Sequence, residues 1–137
     1  MSDVATLTLF AVLTTALLFG GMVLYSFGFA AFLFSALPAA EAGPLLRKAF
    51  PWFYVFVVST AAVGAVLWWP VDSVNATVLA VIAVTAIALR QILMPAINRA
   101  TDQGQRARFK TLHSLSVVAT LAHIAASGWT LSRLVLA

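Results

Sequence analysis

Two histidines, four carboxylates and eight basic side chains carry most of the acid–base and metal-binding capacity of this 137-residue chain. There is no cysteine, so thiolate metal sites, disulfides and thiol nucleophiles are excluded. Met1, Met22 and Met94 form no evident relay for a soft metal. His113 and His123 lie ten positions apart, which on one helix separates them by about 15 Å and rotates them about 80° out of register. They cannot clasp a single ion as an i, i+4 pair does, and a second ligand would have to come from another subunit. His113 can bond a carbonyl or Ser35 across a bundle; the alternative is a proton carrier, or a ligand for a metal or haem. His123 falls near the middle of an apolar stretch, where an ionisable residue is a functional candidate by default. It is expected to be neutral and bonded to Thr120, Ser127 or a neighbouring helix.

Arg90 has two readings. Its stem can lie in lipid with the guanidinium reaching the headgroups. Alternatively it turns inward at the depth of His113, where Tyr54 could approach it. With Asn98 and Asp102 these residues make a candidate polar cluster: Arg90, Asn98, Asp102, His113 and Tyr54. His123 and Thr120 form a second candidate, as a ligand or buried polar pair. Asp102, near Arg99 and Arg106, could pin the basic segment. Which metal, if any, is left unknown. The carboxylates are isolated, and no glycine-rich phosphate loop or nucleophile elbow is present, which argues against a hydrolase or a nucleotide-driven pump. The pattern leans away from an enzyme without closing the question.

The elements that must position these groups are membrane helices. Hydrophobic residues make up 63% of the chain and charged ones 9%, with mean hydropathy +1.03. A soluble domain of this size could not hide that much apolar surface, so lipid is the expected solvent. The expected fold is all-α, a four-helix integral membrane bundle in one domain, with helices at about 4–37, 51–69, 74–94 and 108–136. The apolar run after Asp3 is too long, and its start too poor in cations, for a cleaved leader; it is expected to be a first span.

The first segment exceeds the roughly 30 Å hydrocarbon core and must tilt or bend, with Gly20-Gly21 as the natural bend. Gly21, Gly28 and Ser35 recur every seven residues as a small-residue stripe for helix packing. Pro38, Glu41, Gly43 and Pro44 predict a break, residues 45–50 a short interfacial turn, and Pro51 the start of the second helix. Trp52 at one end and Trp68-Trp69 at the other fit interfacial aromatic belts. Pro70-Val71-Asp72-Ser73 reads as a tight turn in which Asp72 or Ser73 caps the third helix. Pro95 is expected to kink or end that helix.

The net charge is +4, from eight cations and four acids. Seven cations (Arg47, Lys48, Arg90, Arg99, Arg106, Arg108 and Lys110) fall in or beside the first and third loops, and only Arg133 lies elsewhere. That asymmetry predicts basic elbows in the cytoplasm and both chain ends on the non-cytoplasmic side of a bacterial inner membrane. It also explains the basic balance without nucleic acid. The expected partners are the bilayer and other membrane subunits or further copies of the chain. Three functional expectations follow: a non-catalytic accessory or packing subunit; a haem- or metal-binding redox or transport protein using His113 or His123; and an oligomeric small-solute or proton channel lined by Thr85, Thr120 and His123.

Leu37-Pro38-Ala39-Ala40-Glu41-Ala42-Gly43-Pro44-Leu45-Leu46 and Phe50-Pro51-Trp52-Phe53-Tyr54 resemble the first loop of a bacterial family of four-helix membrane proteins of unknown function. Its eukaryotic relatives are called transmembrane protein 205. Leu93 to Asn98 with Asp102, and Phe109, Leu112-His113 and Leu115-Ser116, look like that family's second loop and fourth helix. The resemblance implies a four-helix bundle with its N-terminus outside. Thr120 and His123 stand where it would lead one to expect amides. In hydropathy plan the family is distantly similar to copper-resistance D-type proteins and to a haem-dependent protoporphyrinogen oxidase, an analogy that carries no function by itself.

Overall fold

In a computed structural model, which describes residues 2–136, four long helices run α1 Asp3–Ala36, α2 Ala39–Trp68, α3 Ser73–Asp102 and α4 Arg106–Leu136. Each is long and apolar enough to cross a membrane, and no strand occurs among the described residues. Met1 lies outside the described residues. In lipid the backbone must satisfy its own hydrogen bonds, and continuous helices do so.

Three boundaries differ from those the sequence predicts. The second helix begins at Ala39 and runs unbroken through Pro44 and Pro51. Each proline removes one backbone donor and frees one carbonyl, a loss that tertiary packing can absorb in membrane helices. The expected turn at 45–50 is therefore helix. In α1 the irregularity is a π-helical stretch at Leu24–Phe29, not a bend at Gly20-Gly21, and Ser26 Oγ there donates back to the Met22 carbonyl. In α3 a second π-helical stretch, Leu89–Leu93, immediately precedes Met94-Pro95, and the helix continues to Asp102. A wider turn just before a proline takes up the geometry that its missing N–H and its ring would otherwise disrupt.

The core lies between α1, α2 and α3. Ala11, Leu18, Met22, Phe53, Val57, Ala61, Trp68, Leu79, Ile82 and Ala86 form its centre. Gly64 lets α2 approach α3: a Cβ there would stand 2.6 Å from Leu79 Cδ1. Gly21 does the same for α1 and α2, since a Cβ would collide with the Phe56 ring. Gly28 and Ser35, the other members of the stripe, are exposed, and Ser35 Oγ donates to the Phe32 carbonyl of its own helix. Trp68 corrects the belt reading. It is 1% exposed and its indole N–H donates to Thr15 Oγ1 at 2.9 Å, whereas Trp52 and Trp69 are exposed. The Thr15 hydroxyl in turn donates to the Ala11 carbonyl at 2.7 Å, so this buried relay is closed.

Candidate functional sites at the two ends of the bundle

At the end formed by the two basic elbows, the sequence scatters its charges and the fold pairs two of them. Arg47, on the third turn of α2, meets Asp102, the last residue of α3, through two bonds: Nη1 to Oδ1 at 2.6 Å and Nη2 to Oδ2 at 2.9 Å. Asp102 therefore ties one elbow to the other and does not pair with Arg99 or Arg106. The fork geometry is the strong form of the pair, but both side chains remain about half exposed.

Arg90 lies in the π-helical stretch of α3 and its Nε points to the Pro51 carbonyl at 3.4 Å, the inward of the two orientations considered for it. Tyr54 is buried close by in sequence on α2, beside Phe53. The Tyr25 ring packs on Phe29, Phe50 and Phe53, and its hydroxyl donates to the Ala49 carbonyl at 2.8 Å, locking α1 to α2. Asn98 is half-buried on the last part of α3. His113 is exposed, stacked on Phe109 one turn earlier at 5.4 Å, and does not bond Ser35. The five residues are not brought into one contact: Arg90 reaches the Pro51 carbonyl of α2, Tyr54 is buried on α2, Asp102 pairs with Arg47, and His113 is exposed.

In mid-bundle His123 Nε2 lies 2.8 Å from Thr85 Oγ1 on α3. Thr85 Oγ1 also lies 2.7 Å from the Val81 carbonyl of its own helix, and which partner donates in the His123 pair follows the tautomer of the ring. Thr120 is buried but donates to the Ser116 carbonyl of its own helix and takes no part in this pair. No group of three His, Cys, Asp or Glu side chains close enough to hold a metal occurs among the described residues.

The opposite end holds the constellation that the sequence reading missed. Asp72 caps α3: its Oδ1 accepts from the backbone N–H of Val74 at 2.9 Å and of Asn75 at 3.2 Å. Its Oδ2 accepts from Arg133 Nη2 at 2.9 Å, bridging α3 to the last turn of α4. The Arg133 bond holds the Asp72 carboxyl below its ordinary value; partial burial opposes this, and the two cap bonds reinforce it. The Arg133 guanidinium also lies over the Trp129 ring, 5.0 Å from its centroid. Between these residues is a cleft of about 440 Å³ lined by Asp72, Asn75, Trp129, Ser132, Arg133 and the leucines of the α4 end. Asn75 lines this cleft with 0% exposure, and neither its amide nitrogen nor its amide oxygen has a hydrogen-bond partner among the described residues. Arg133 Nε is likewise buried without one. A buried polar group left unmated costs about 1–3 kcal/mol, so these orphaned groups mark a place where a partner is wanted. Two signals in the sequence point here: an amide in the first turn of the apolar α3 run, and the single cation outside the elbows.

Four apolar helices with only isolated polar contacts define a multi-pass, membrane-type protein. The chain belongs to the family described as domain of unknown function DUF4149, which it matches over residues 13–106, more than half its length. That span covers most of α1, all of α2 and α3, and stops where α4 begins. Nothing in the match links the chain to transmembrane protein 205 or to copper-resistance D-type proteins. No curated protein and no solved structure matches it.

Proposed function

We propose that this chain is a non-catalytic packing subunit of a larger membrane assembly. It sits in a bacterial inner membrane with its basic elbows in the cytoplasm, the orientation that the seven-to-one distribution of cations supports. The observation that carries the packing role is an open groove of about 610 Å³ on the outer face of α2 and α3. Ala65, Ala76 and Ala80 are among its lining residues, together with Val81, Val84, Thr77 and Thr85. Small residues let a second helix backbone come close, and in lipid such close packing takes the place of a hydrophobic driving force. The groove contains no charge, so its occupant is an apolar transmembrane helix of a partner protein.

The chain lacks cysteine, so one introduced thiol reports cleanly. Ala80 is exposed in the groove, and Ala80→Cys alkylated with a thiol-specific photoactivatable crosslinker in native membranes is expected, on illumination, to join to a second polypeptide. Ala80→Phe, which fills the groove, is expected to abolish the complex seen on native gels while leaving the bundle folded. A thiol at position 80 that reacts only with lipid-phase reagents, in a protein migrating alone at 14.6 kDa, removes the reading.

A further inference from the structure

We infer that the cleft between the start of α3 and the end of α4 is a binding site for a phosphoethanolamine-type zwitterion, of the kind carried by a phospholipid headgroup. The argument starts from what the cleft offers and has not used. Arg133 spends Nη2 on Asp72 and keeps its Nε–H unmated, while the Asn75 amide keeps both of its N–H donors and its acceptor oxygen. The open donors point to an oxyanion, and the open amide acceptor points to an N–H or O–H donor. Asp72 and Arg133 already neutralise one another, so a ligand with a single net charge would leave that charge uncompensated. A phosphodiester with an adjacent primary ammonium meets all of these conditions: its oxygens accept from Arg133 Nε and the Asn75 amide, and its ammonium donates to Asn75 Oδ1 beside the Asp72 carboxylate.

Place and shape agree with this chemistry. The cleft lies at the ends of two spanning helices, with exposed Trp129 on its wall, at the level where a bilayer presents headgroups. Its volume of about 440 Å³ accommodates a headgroup, and Leu134 and Leu136 supply an apolar edge for the start of an acyl chain. The site is independent of the groove on α2 and α3 and lies on different residues.

The test uses the whole chain in mild detergent, titrated by native mass spectrometry with short-chain phosphatidylethanolamine and, in parallel, phosphatidylcholine. The two share a phosphodiester, but choline has no N–H to donate. The ethanolamine lipid is expected to bind about ten-fold more tightly. Arg133→Lys keeps the charge for Asp72 and deletes the Nε–H; Asn75→Leu replaces the amide with a side chain of similar size. Each is expected to weaken binding about ten-fold, with Lys110→Gln at the other end of the bundle as the unaffected control. Should Asn75→Leu fail to fold, Arg133→Lys, on a partly exposed turn, still decides. Competition by soluble glycerophosphoethanolamine, which has the same phosphodiester and ammonium without acyl chains, at equal potency supports the same chemistry with a water-borne ligand, and its failure to compete supports the bilayer lipid. Equal binding of the two lipids, or wild-type affinity in Arg133→Lys, overturns the inference and leaves the cleft to water.

Discussion

Each end of the bundle has one arginine–aspartate bridge, and the two are built to different effect. At the elbow end, Arg47 and Asp102 meet fork to fork in the open, where water already serves their remaining valences. That bridge ties two loops together and asks for nothing more. At the other end, Arg133 reaches Asp72 through one nitrogen only, from a less exposed position, and leaves its Nε beside an unmated asparagine. The same two residue types give a closed structural tie in one place and an unfinished polar site in the other. What differs is how many donors and acceptors burial has cut off from water.

The largest test of that contrast removes what lies beneath the unfinished site. Trp68 is buried one turn before Asp72 and bonded to Thr15, so it anchors this end from inside. Trp68→Ala is expected to destabilise the bundle by about 3–5 kcal/mol, read by unfolding in mixed micelles. It should also blunt the cleft's ligand response, whereas Tyr25→Phe at the elbow end should not.

A smaller effect is expected from Asp72→Asn, which keeps a capping oxygen but removes the charge that Arg133 pairs with, and should cost about 1 kcal/mol or less. Its pH dependence follows from the direction of the Asp72 shift. A carboxyl whose folded value lies below the unfolded 3.8 contributes its full stability above 3.8 and loses it as pH falls below that through the folded value. Because Arg133 lies over Trp129, the emission of that ring, taken as the difference from Trp129→Phe, should change in that acid range. Asp72→Asn should flatten the change; an identical acid response in that variant would mean that another group is titrating.

The smallest effect is expected at the elbow. Asp102→Asn should leave the unfolding midpoint unchanged within error, because the pair is exposed, while loosening the two elbows toward protease. A large loss of stability there would erase the contrast between the ends.

Much of the architecture was legible in the residues. Hydropathy marks four spans, and the Pro-Val-Asp-Ser turn offers Asp72 or Ser73 as the cap of the third helix, of which the fold uses Asp72. The helix boundaries were less legible. Pro44 and Pro51 look like breaks to local reasoning, yet α2 runs through both because neighbouring helices absorb the lost bond. His123 was read as a buried polar group seeking a partner, but Thr85 as that partner depends on how α3 and α4 are rotated. Arg133 counted only as the exception in a charge tally, because nothing local says that it closes on a residue sixty-one positions away.

By itself the sequence determined the solvent and the number of spans, because transfer of side chains into lipid is a local sum along the chain. Which polar groups meet was decided only in three dimensions. Small residues such as Gly21 and Gly64 set how closely the helices approach, and that approach sets their rotation. The rotation gives Asp102 its arginine and leaves Asn75 without a partner.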